Sequence, residues 1–150
     1  MEQIELATLS GFFAGEGNIT ISSGKWPTLY AALGNTEKSW VDKFFKEFGG
    51  SFYVEQPKYN GAKNMFRWRV TGKKAESFLR AIQPYLQGEK AEQLKIALHF
   101  QGLKNSWKVR DNEGFSPEQR LEMDKVRNSM RELRRTAAET NREDALPWAK

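Results

Sequence analysis

The stretch Leu9-Ser10-Gly11-Phe12-Phe13-Ala14-Gly15-Glu16-Gly17 decides how this chain folds. In a helix that begins near residue 5, residues four apart share one face. Here the residues on that face are all small: Ala7, Gly11 and Gly15. A second small row lies beside the first: Ser10 and Ala14. Each glycine inside a helix costs about 1 kcal/mol relative to alanine. We therefore expect this face to pack closely against another backbone.

An acidic residue stands where this helix must end, since Glu16 lies between two glycines. Two such helices, crossed at their small faces, would bring one carboxylate each to a shared point. Four apolar residues lie away from the small rows and are expected to anchor the helix to its own core: Ile4, Leu9, Phe12 and Phe13. The spacing alone fits equally well a surface helix with a glycine C-cap and a solvated Glu16.

The stretch resembles the LAGLIDADG motif of homing endonucleases, in the variant that ends in an acid between glycines. Seven of its nine positions fit: Leu9, Gly11, Phe12, Phe13, Gly15, Glu16 and Gly17. Ser10 is a mild change, whereas Ala14 stands where the family usually has an acid. The family holds its metal through the second acid, which here is Glu16. The departure at Ala14 therefore concerns capping and packing more than catalysis.

Composition favours one folded domain with a polyanionic partner. The chain has 150 residues, 13% of them aromatic, and its 24 Lys+Arg exceed its 19 Asp+Glu, so that its net charge is +5. Residues 1–17 carry −3, residues 18–110 carry +9 and residues 111–150 carry −1. An acidic motif beside a basic body suits a metal site that faces a phosphate backbone.

Several classes of protein are excluded or disfavoured. The chain has no cysteine, which excludes disulfides and thiolate metal sites. No stretch approaches the ~20 apolar residues of a membrane span, and the N-terminus lacks the pattern of a signal peptide. We expect an intracellular protein without membrane or small-molecule partners, in a bacterial or archaeal cytoplasm or in an organelle.

Hydrophobic periodicity predicts an α+β domain. Alternation predicts strands at residues 18–22, 28–35, 51–56 and 65–71, and helical spacing predicts helices at residues 36–48, 73–82 and 89–100. With the motif helix in front, the order is αββαββα, which is also the fold that the resemblance implies. In that fold helices cover one face of an antiparallel sheet, and the other face lies on DNA.

The uncovered sheet face is the predicted DNA-binding surface. Its strands would present Thr20, Ser22, Tyr30, Tyr53, Glu55, Arg67 and Arg69, and its loops would add Lys25, Lys58 and Lys63. Two-stranded ribbons fit the major groove, where arginine is the usual partner of guanine edges. For Arg67 and Arg69 the alternative is an ordinary solvated sheet face.

Two further blocks extend the resemblance over roughly residues 5–103. Gly34-Asn35-Thr36-Glu37-Lys38-Ser39-Trp40 resembles the family's strand-to-helix junction, where relatives hold a polar side chain, here Asn35, near the attacking water. Lys90-Ala91-Glu92-Gln93 resembles the block that supplies an active-site lysine. Lys90 matches within one residue of spacing, and Lys95 is a weaker substitute. Without the resemblance, Lys90 would be interpreted as a solvated lysine at a helix start.

The resemblance implies an active site and a cofactor. Its catalytic residues would be Glu16, Asn35 and Lys90, and Glu16 with the carbonyl of Gly15 would bind Mg²⁺, which Mn²⁺ or Ca²⁺ can replace for binding. The motif occurs once, so the chain is expected to act as a homodimer. The dimer interface would be formed by the small residues of the motif helix: Ala7, Ser10, Gly11 and Ala14.

The implied activity is hydrolysis of both strands of a long, partly palindromic DNA site, which leaves 3′ overhangs. One alternative is a LAGLIDADG protein that binds without cutting, as an RNA maturase or a DNA-binding regulator, and the missing acid at Ala14 favours it. A basic structural or RNA-associated α+β protein would explain the charge. It would not explain a small-faced helix that ends in Glu16.

We divide the chain into an endonuclease core, residues 1–105, and a C-terminal helical extension, residues 106–150. Ser116-Pro117-Glu118-Gln119 predicts the start of an extra helix, with serine as the cap and proline first. A helical stripe follows: Leu121, Val126, Met130 and Leu133. The Arg131–Arg135 segment is interpreted as a solvated helix face, and the acids at residues 111 and 113 as loop charges.

Overall fold

The structure, a computed structural model, describes residues 1–107 and 114–145. They form, in order, α1 (Gln3–Glu16), β1 (Gly17–Ile21), β2 (Leu29–Asn35), α2 (Lys38–Phe48), β3 (Ser51–Glu55), β4 (Met65–Thr71), α3 (Gly72–Ile82), a 3₁₀-helix (Gln83–Tyr85), α4 (Gly88–Ser106) and α5 (Pro117–Ala145). The α+β class and the αββαββα order are confirmed. Residues 108–113, with the acids at 111 and 113, and residues 146–150 lie outside the described residues.

The four strands form one antiparallel sheet in the order β1-β2-β4-β3. Gly17 pairs with Leu33 at one end of the first ladder, and Ile21 pairs with Leu29 at the other. The loop from β1 to β2 therefore lies at the end of the sheet opposite to the C-terminus of α1. The loop from β3 to β4 lies at the α1 end, because Glu55 pairs with Met65.

Alternation along the strands directs one sheet face toward the helices. Trp68 at the centre of β4 is fully buried, and its ring packs 5.1 Å from Phe44 and 5.0 Å from Phe78, between ring centroids. Its indole N–H donates to the carbonyl of Gly49 at 2.8 Å, so the buried donor is satisfied. The other sheet face remains accessible, and Arg69 and Tyr53 are exposed there.

Helix α5 packs against α4 and shares its core. Three of its side chains are buried in that core: Met123, Val126 and Met130. The predicted cap forms in both directions, since the Gln119 N–H donates to Ser116 Oγ at 3.1 Å and the Ser116 N–H donates to Gln119 Oε1 at 2.9 Å. Leu121 departs from the predicted stripe and is exposed. None of the helices in the described residues combines the length and the apolar character that a membrane span requires.

Two predictions about α1 need correction. Ile4 was expected to anchor the helix, but it is 79% exposed, because it lies three and seven residues before Ala7 and Gly11 and so shares their face. Ser10 was expected at the dimer interface, but it is fully buried inside the chain. Its hydroxyl donates to the Leu6 carbonyl at 2.7 Å, which satisfies the polar group within the helix.

Candidate functional site

One face of α1 consists of residues with small side chains, and the rest of the described chain does not cover it. We define the small face as Ala7, Gly11, Ala14 and Gly15. Gly11, Ala14 and Gly15 are exposed, and a Cβ atom added at Gly11 or Gly15 would meet no other atom within 4 Å. On the other side of the helix, Leu9 and Phe13 are buried. The described part of the chain thus leaves room for a second backbone against the small face.

Glu16 is the last residue of α1, and the chain enters β1 at the next residue. The N–H of Gly17 donates to the Phe13 carbonyl, and a Cβ atom at Gly17 would overlap the Phe13 ring. Glycine is therefore required for this direct passage from helix to strand. Glu16 is exposed at the junction, and the described residues contain no cluster of three or more His, Cys, Asp or Glu side chains that could hold a metal. At this junction the end of α1 presents the carboxylate of Glu16 together with backbone carbonyls.

Lys90 reaches this junction from the first turn of α4. Its Nζ donates to the carbonyl of Gly17 at 2.6 Å, one residue beyond Glu16, and lies 5.9 Å from the centroid of the Phe13 ring. Burial lowers the pKa of the Lys90 ammonium, Glu89 opposes this shift, and the nearby Arg134 adds to it. The substitute candidate, Lys95, is exposed and pairs with a neighbouring glutamate on α4.

Asn35 lies at the same end of the sheet. It ends β2, two residues beyond Leu33, which pairs with Gly17. Its Oδ1 accepts a hydrogen bond from the Glu37 N–H at 2.8 Å, which fixes the side chain at the turn into α2. Its amide nitrogen has no hydrogen-bond partner within the described residues. Lys90 thus contacts the junction after Glu16, and Asn35 lies at the same end of the sheet.

No model of a known protein family matches the chain, and no curated protein sequence matches it. Solved structures do match. The homing endonuclease I-CvuI, solved in complex with the I-CreI target, is 20% identical with a TM-score of 0.68 over 87% of this chain and 82% of that chain. The archaeal intron-encoded homing endonuclease I-Vdi141I, complexed with DNA, is 12% identical with a TM-score of 0.68 over 89% and 86%. The LAGLIDADG meganuclease I-AabMI, bound to uncleaved DNA, is 16% identical with a TM-score of 0.62 over 81% and 43%.

This chain has the LAGLIDADG homing endonuclease fold. All three of these neighbours are described as complexes with DNA. The resemblance read from the motif thus agrees with the fold of the whole described chain.

Within the LAGLIDADG fold of this chain, Arg67 is held across the centre of the accessible sheet face. Its Nε donates to Glu55 Oε2 at 2.9 Å, and both side chains are about two-fifths exposed (40% and 42%). It lies over its strand partner Gly34, where an added Cβ atom would come within 2.7 Å of the Arg67 Nη1. Tyr53 pairs with Arg67 on the other side. An exposed ion pair adds little stability, so its main effect is to fix the direction of the guanidinium.

A second cation lies beside it, since the Arg69 guanidinium stacks 5.0 Å from the centroid of the Tyr30 ring. A shallow depression of about 280 Å³ connects the two arginines, and it includes Asn18 and Ala32, which the sequence analysis did not name. Alternation along β1 already puts Asn18 on the same face as Thr20, whereas Ala32 follows only from the register, since it pairs with Asn18 and with Arg69.

The loop candidates divide between the two ends of the sheet. Lys25 lies in the β1–β2 loop at the far end, and Lys58 and Lys63 lie in the loop at the α1 end. Ser22 accepts a hydrogen bond from the Thr28 N–H at 2.9 Å, so its hydroxyl closes the β1–β2 loop. Thr20 donates to Asn18 Oδ1 at 2.6 Å on the accessible face.

The interpretation of Arg131–Arg135 as a solvated helix face is wrong for Arg134, which is half-buried. From α5 its guanidinium donates to the carbonyl of Ile19, two residues after the carbonyl that Lys90 contacts. β1 is an edge strand, and the two cations satisfy alternate carbonyls along that edge. No local pattern could have predicted this contact, because it depends on how α5 packs.

Proposed function

We propose that this protein is a site-specific homing endonuclease that works as a homodimer and hydrolyses both strands of a long, partly palindromic DNA site, leaving 3′ overhangs. The main support for this proposal is the contact of the Lys90 Nζ with the Gly17 carbonyl, at 2.6 Å. The lysine lies one residue from Glu16, in a fold shared with homing endonucleases solved on DNA. A half-buried lysine fixed on the residue that follows Glu16 fits catalysis at the end of the motif helix.

The donor atoms at the end of α1 fit Mg²⁺. A hard cation prefers oxygen ligands and retains several waters. The exposed Glu16 carboxylate, with the backbone carbonyl of Gly15, offers such oxygens from each protomer. When bound, Mg²⁺ supplies charge stabilisation at the phosphate and lowers the pKa of water. The same oxygens accept Mn²⁺ or Ca²⁺ for binding.

The other two residues act on the phosphate and on the attacking water. The Lys90 ammonium offsets negative charge that develops on the phosphate oxygens. The amide of Asn35, fixed through Glu37, holds the water in position. The water oxygen forms a bond to phosphorus as the bond to the 3′ oxygen breaks, and the leaving oxygen takes a proton to become the 3′-hydroxyl.

The small face supports a dimer in which two α1 helices cross. Its glycines leave open space for a second backbone, and the exposed Ile4 extends it. The match to I-AabMI covers only 43% of that chain, so two copies of this protein would correspond to a chain of that length. Each copy would bring one Glu16 to the twofold axis and one sheet face to half of the DNA site.

Replacement of Glu16 by glutamine tests the activity. With a library of DNA sites, wild type is expected to cut both strands at one site in Mg²⁺ and not in EDTA. Glu16→Gln is expected to lose cleavage by about 10³-fold or more, since several kcal/mol of charge stabilisation disappear, while DNA binding persists. Glu47→Gln, an exposed change on α2, is the control and should cut normally.

Two outcomes would count against the proposal. Undiminished cutting by Glu16→Gln would remove Glu16 from metal binding. Tight binding of wild type to one site, with no cut in Mg²⁺ or Mn²⁺, would favour a binding protein that does not cleave. Ala14, exposed on the small face where an acid is usual, would then be the residue to restore first.

A further inference from the structure

A polar cleft separates α5 from the β1–β2 loop. Its volume is about 480 Å³, and it is lined by Ser23, Gly24, Lys25, Pro27, Arg120, Asp124 and Arg127. The loop forms one wall and the first half of α5 forms the other. This cleft lies at the end of the sheet opposite to Glu16, so it is separate from the candidate active site.

The cleft is rich in cationic groups. Asp124 is the carboxylate on its wall, and it lies 3.3 Å from an Nη of Arg127. The Nε of Arg120 donates to the backbone carbonyl of Phe115 at 3.2 Å, and no carboxylate of the described residues forms an ion pair with Arg120. Arg120 and Arg127 thus share one described carboxylate, and Lys25 lines the opposite wall.

Arg127 has an unsatisfied donor. Its Nε is buried and has no hydrogen-bond partner within the described protein, and its side chain is only 18% exposed. A buried N–H without an acceptor costs about 1–3 kcal/mol. Because this Nε is buried, an acceptor from outside the chain would meet Arg127 through the part of its side chain that lines the cleft. Guanidinium groups bind phosphate oxygens with charge-assisted, often bidentate hydrogen bonds.

The arginine spacing joins this cleft to the edge of the sheet. Arg120, Arg127 and Arg134 are seven residues apart, which puts them on one face of α5, roughly 10 Å apart along the helix. Arg134 contacts the carbonyl of Ile19 on edge strand β1. The arginine face of α5 therefore runs from edge strand β1 to the β1–β2 loop, where Arg120 and Arg127 line the cleft with Lys25.

We propose that Arg120 and Arg127 bind a backbone phosphate of the same DNA duplex that the sheet face contacts, at the outer end of each half-site. This inference rests on the proposed function, since it gives the C-terminal extension a role in DNA binding. Phosphate contacts fix register and orientation without carrying sequence information. The cleft adds affinity that depends on salt, and the sheet face retains the base contacts.

The salt dependence of DNA binding tests whether the cleft contacts a phosphate. The probe is a labelled 30-base-pair duplex of mixed sequence, and its affinity is measured by anisotropy across a series of KCl concentrations. The double variant Arg120→Gln/Arg127→Gln is expected to lower the slope of log K against log [KCl] by about 1.8 for the dimer, the value for one phosphate contact in each half-site. Arg127→Lys keeps the charge and most of the slope. Arg142→Gln, an exposed change near the end of α5, leaves the slope unchanged.

A second variant leaves the partly buried arginine intact. Ser23 is exposed on the rim of the cleft, so Ser23→Glu adds a negative charge there without disturbing the core. It is expected to weaken duplex binding several-fold, whereas Ser77→Glu, the same change on an exposed site of α3, has little effect. If both Ser23→Glu and the double arginine variant bind the duplex as wild type does, the proposal that the cleft binds phosphate is wrong.

The two proposals fail in different ways. If wild type does not bind the duplex at all, the proposed function fails, and the cleft inference fails with it. If Arg69→Ala on the sheet face weakens binding while all cleft variants bind as wild type does, the sheet contacts DNA and only the cleft assignment is wrong.

Discussion

Gly17 links α1 directly to β1, and we expect Gly17→Ala to destabilise the fold. Its Cβ atom would overlap the Phe13 ring, which is fully buried and cannot move away freely. Overpacking of this kind costs about 1–3 kcal/mol, measured as the free energy of unfolding in urea. Gly102→Ala is the matched control, because a Cβ atom there meets nothing within 4 Å inside α4. That change should stabilise the protein by up to about 1 kcal/mol.

Lys104 gives a prediction about pH. Its Nζ donates to the Pro27 carbonyl at 2.8 Å, and burial lowers its pKa below the ordinary value of 10.5. Between the folded and unfolded pKa values the unfolded state holds more protons, so folding stability rises with pH there. The unfolding free energy of wild type minus that of Lys104→Met should therefore increase from neutral pH toward pH 10.5. A difference that stays flat or falls with pH would contradict it.

Individual residues at the site could be predicted from the sequence only where a recognised motif included them. Lys90 and Gly17 are 73 residues apart, and the family resemblance alone indicated that they meet. Arg134 and Ile19 are 115 residues apart, and no motif connects them. Ile4 was assigned to the wrong face of α1 because an apolar residue was assumed to be buried, although its spacing groups it with Gly11.

At the scale of the element, the start of α5 depends on its reciprocal cap. Ser116→Ala removes the acceptor for the Gln119 N–H, and such caps contribute about 1 kcal/mol. We expect that loss in the free energy of unfolding, followed by urea denaturation. Ser129→Ala is the control on the same helix, since its hydroxyl donates back to the Lys125 carbonyl and caps nothing. Equal effects of the two changes would show that the cap contributes nothing.

Elements with strong alternation were predictable, and so were the ends of α2 at Phe48 and α3 at Ile82, whereas the end of α4 was not. β4 matches its prediction at both ends, because Phe66, Trp68 and Val70 alternate with polar residues. α4 continues to Ser106, well past the predicted end at Phe100. α4 packs against α5, a tertiary contact that the apolar spacing of α4 alone could not reveal.

At the scale of the whole molecule, charge is divided according to position in the fold. The acidic N-terminal segment ends at Glu16, at one end of the sheet, and residues 18–110, which follow it in sequence, carry a net charge of +9. The accessible face presents Arg67 and Arg69, and α5 carries its own arginines along the edge strand. A duplex on this surface would have its phosphates near cations and one phosphate near the single carboxylate at the helix end.

The last prediction concerns the proposed dimer, in which two α1 helices pack against each other. If the small faces of two α1 helices cross, Gly11→Leu fills the space that the second backbone requires. Wild type should then sediment at twice 17.3 kDa and the variant at 17.3 kDa. The variant should also lose double-strand cutting, because one protomer offers one Glu16. Gly102→Leu is the matched control, an equally open glycine on α4, and it should remain dimeric. A Gly11→Leu protein that is still dimeric and active would show that the subunits meet on another surface.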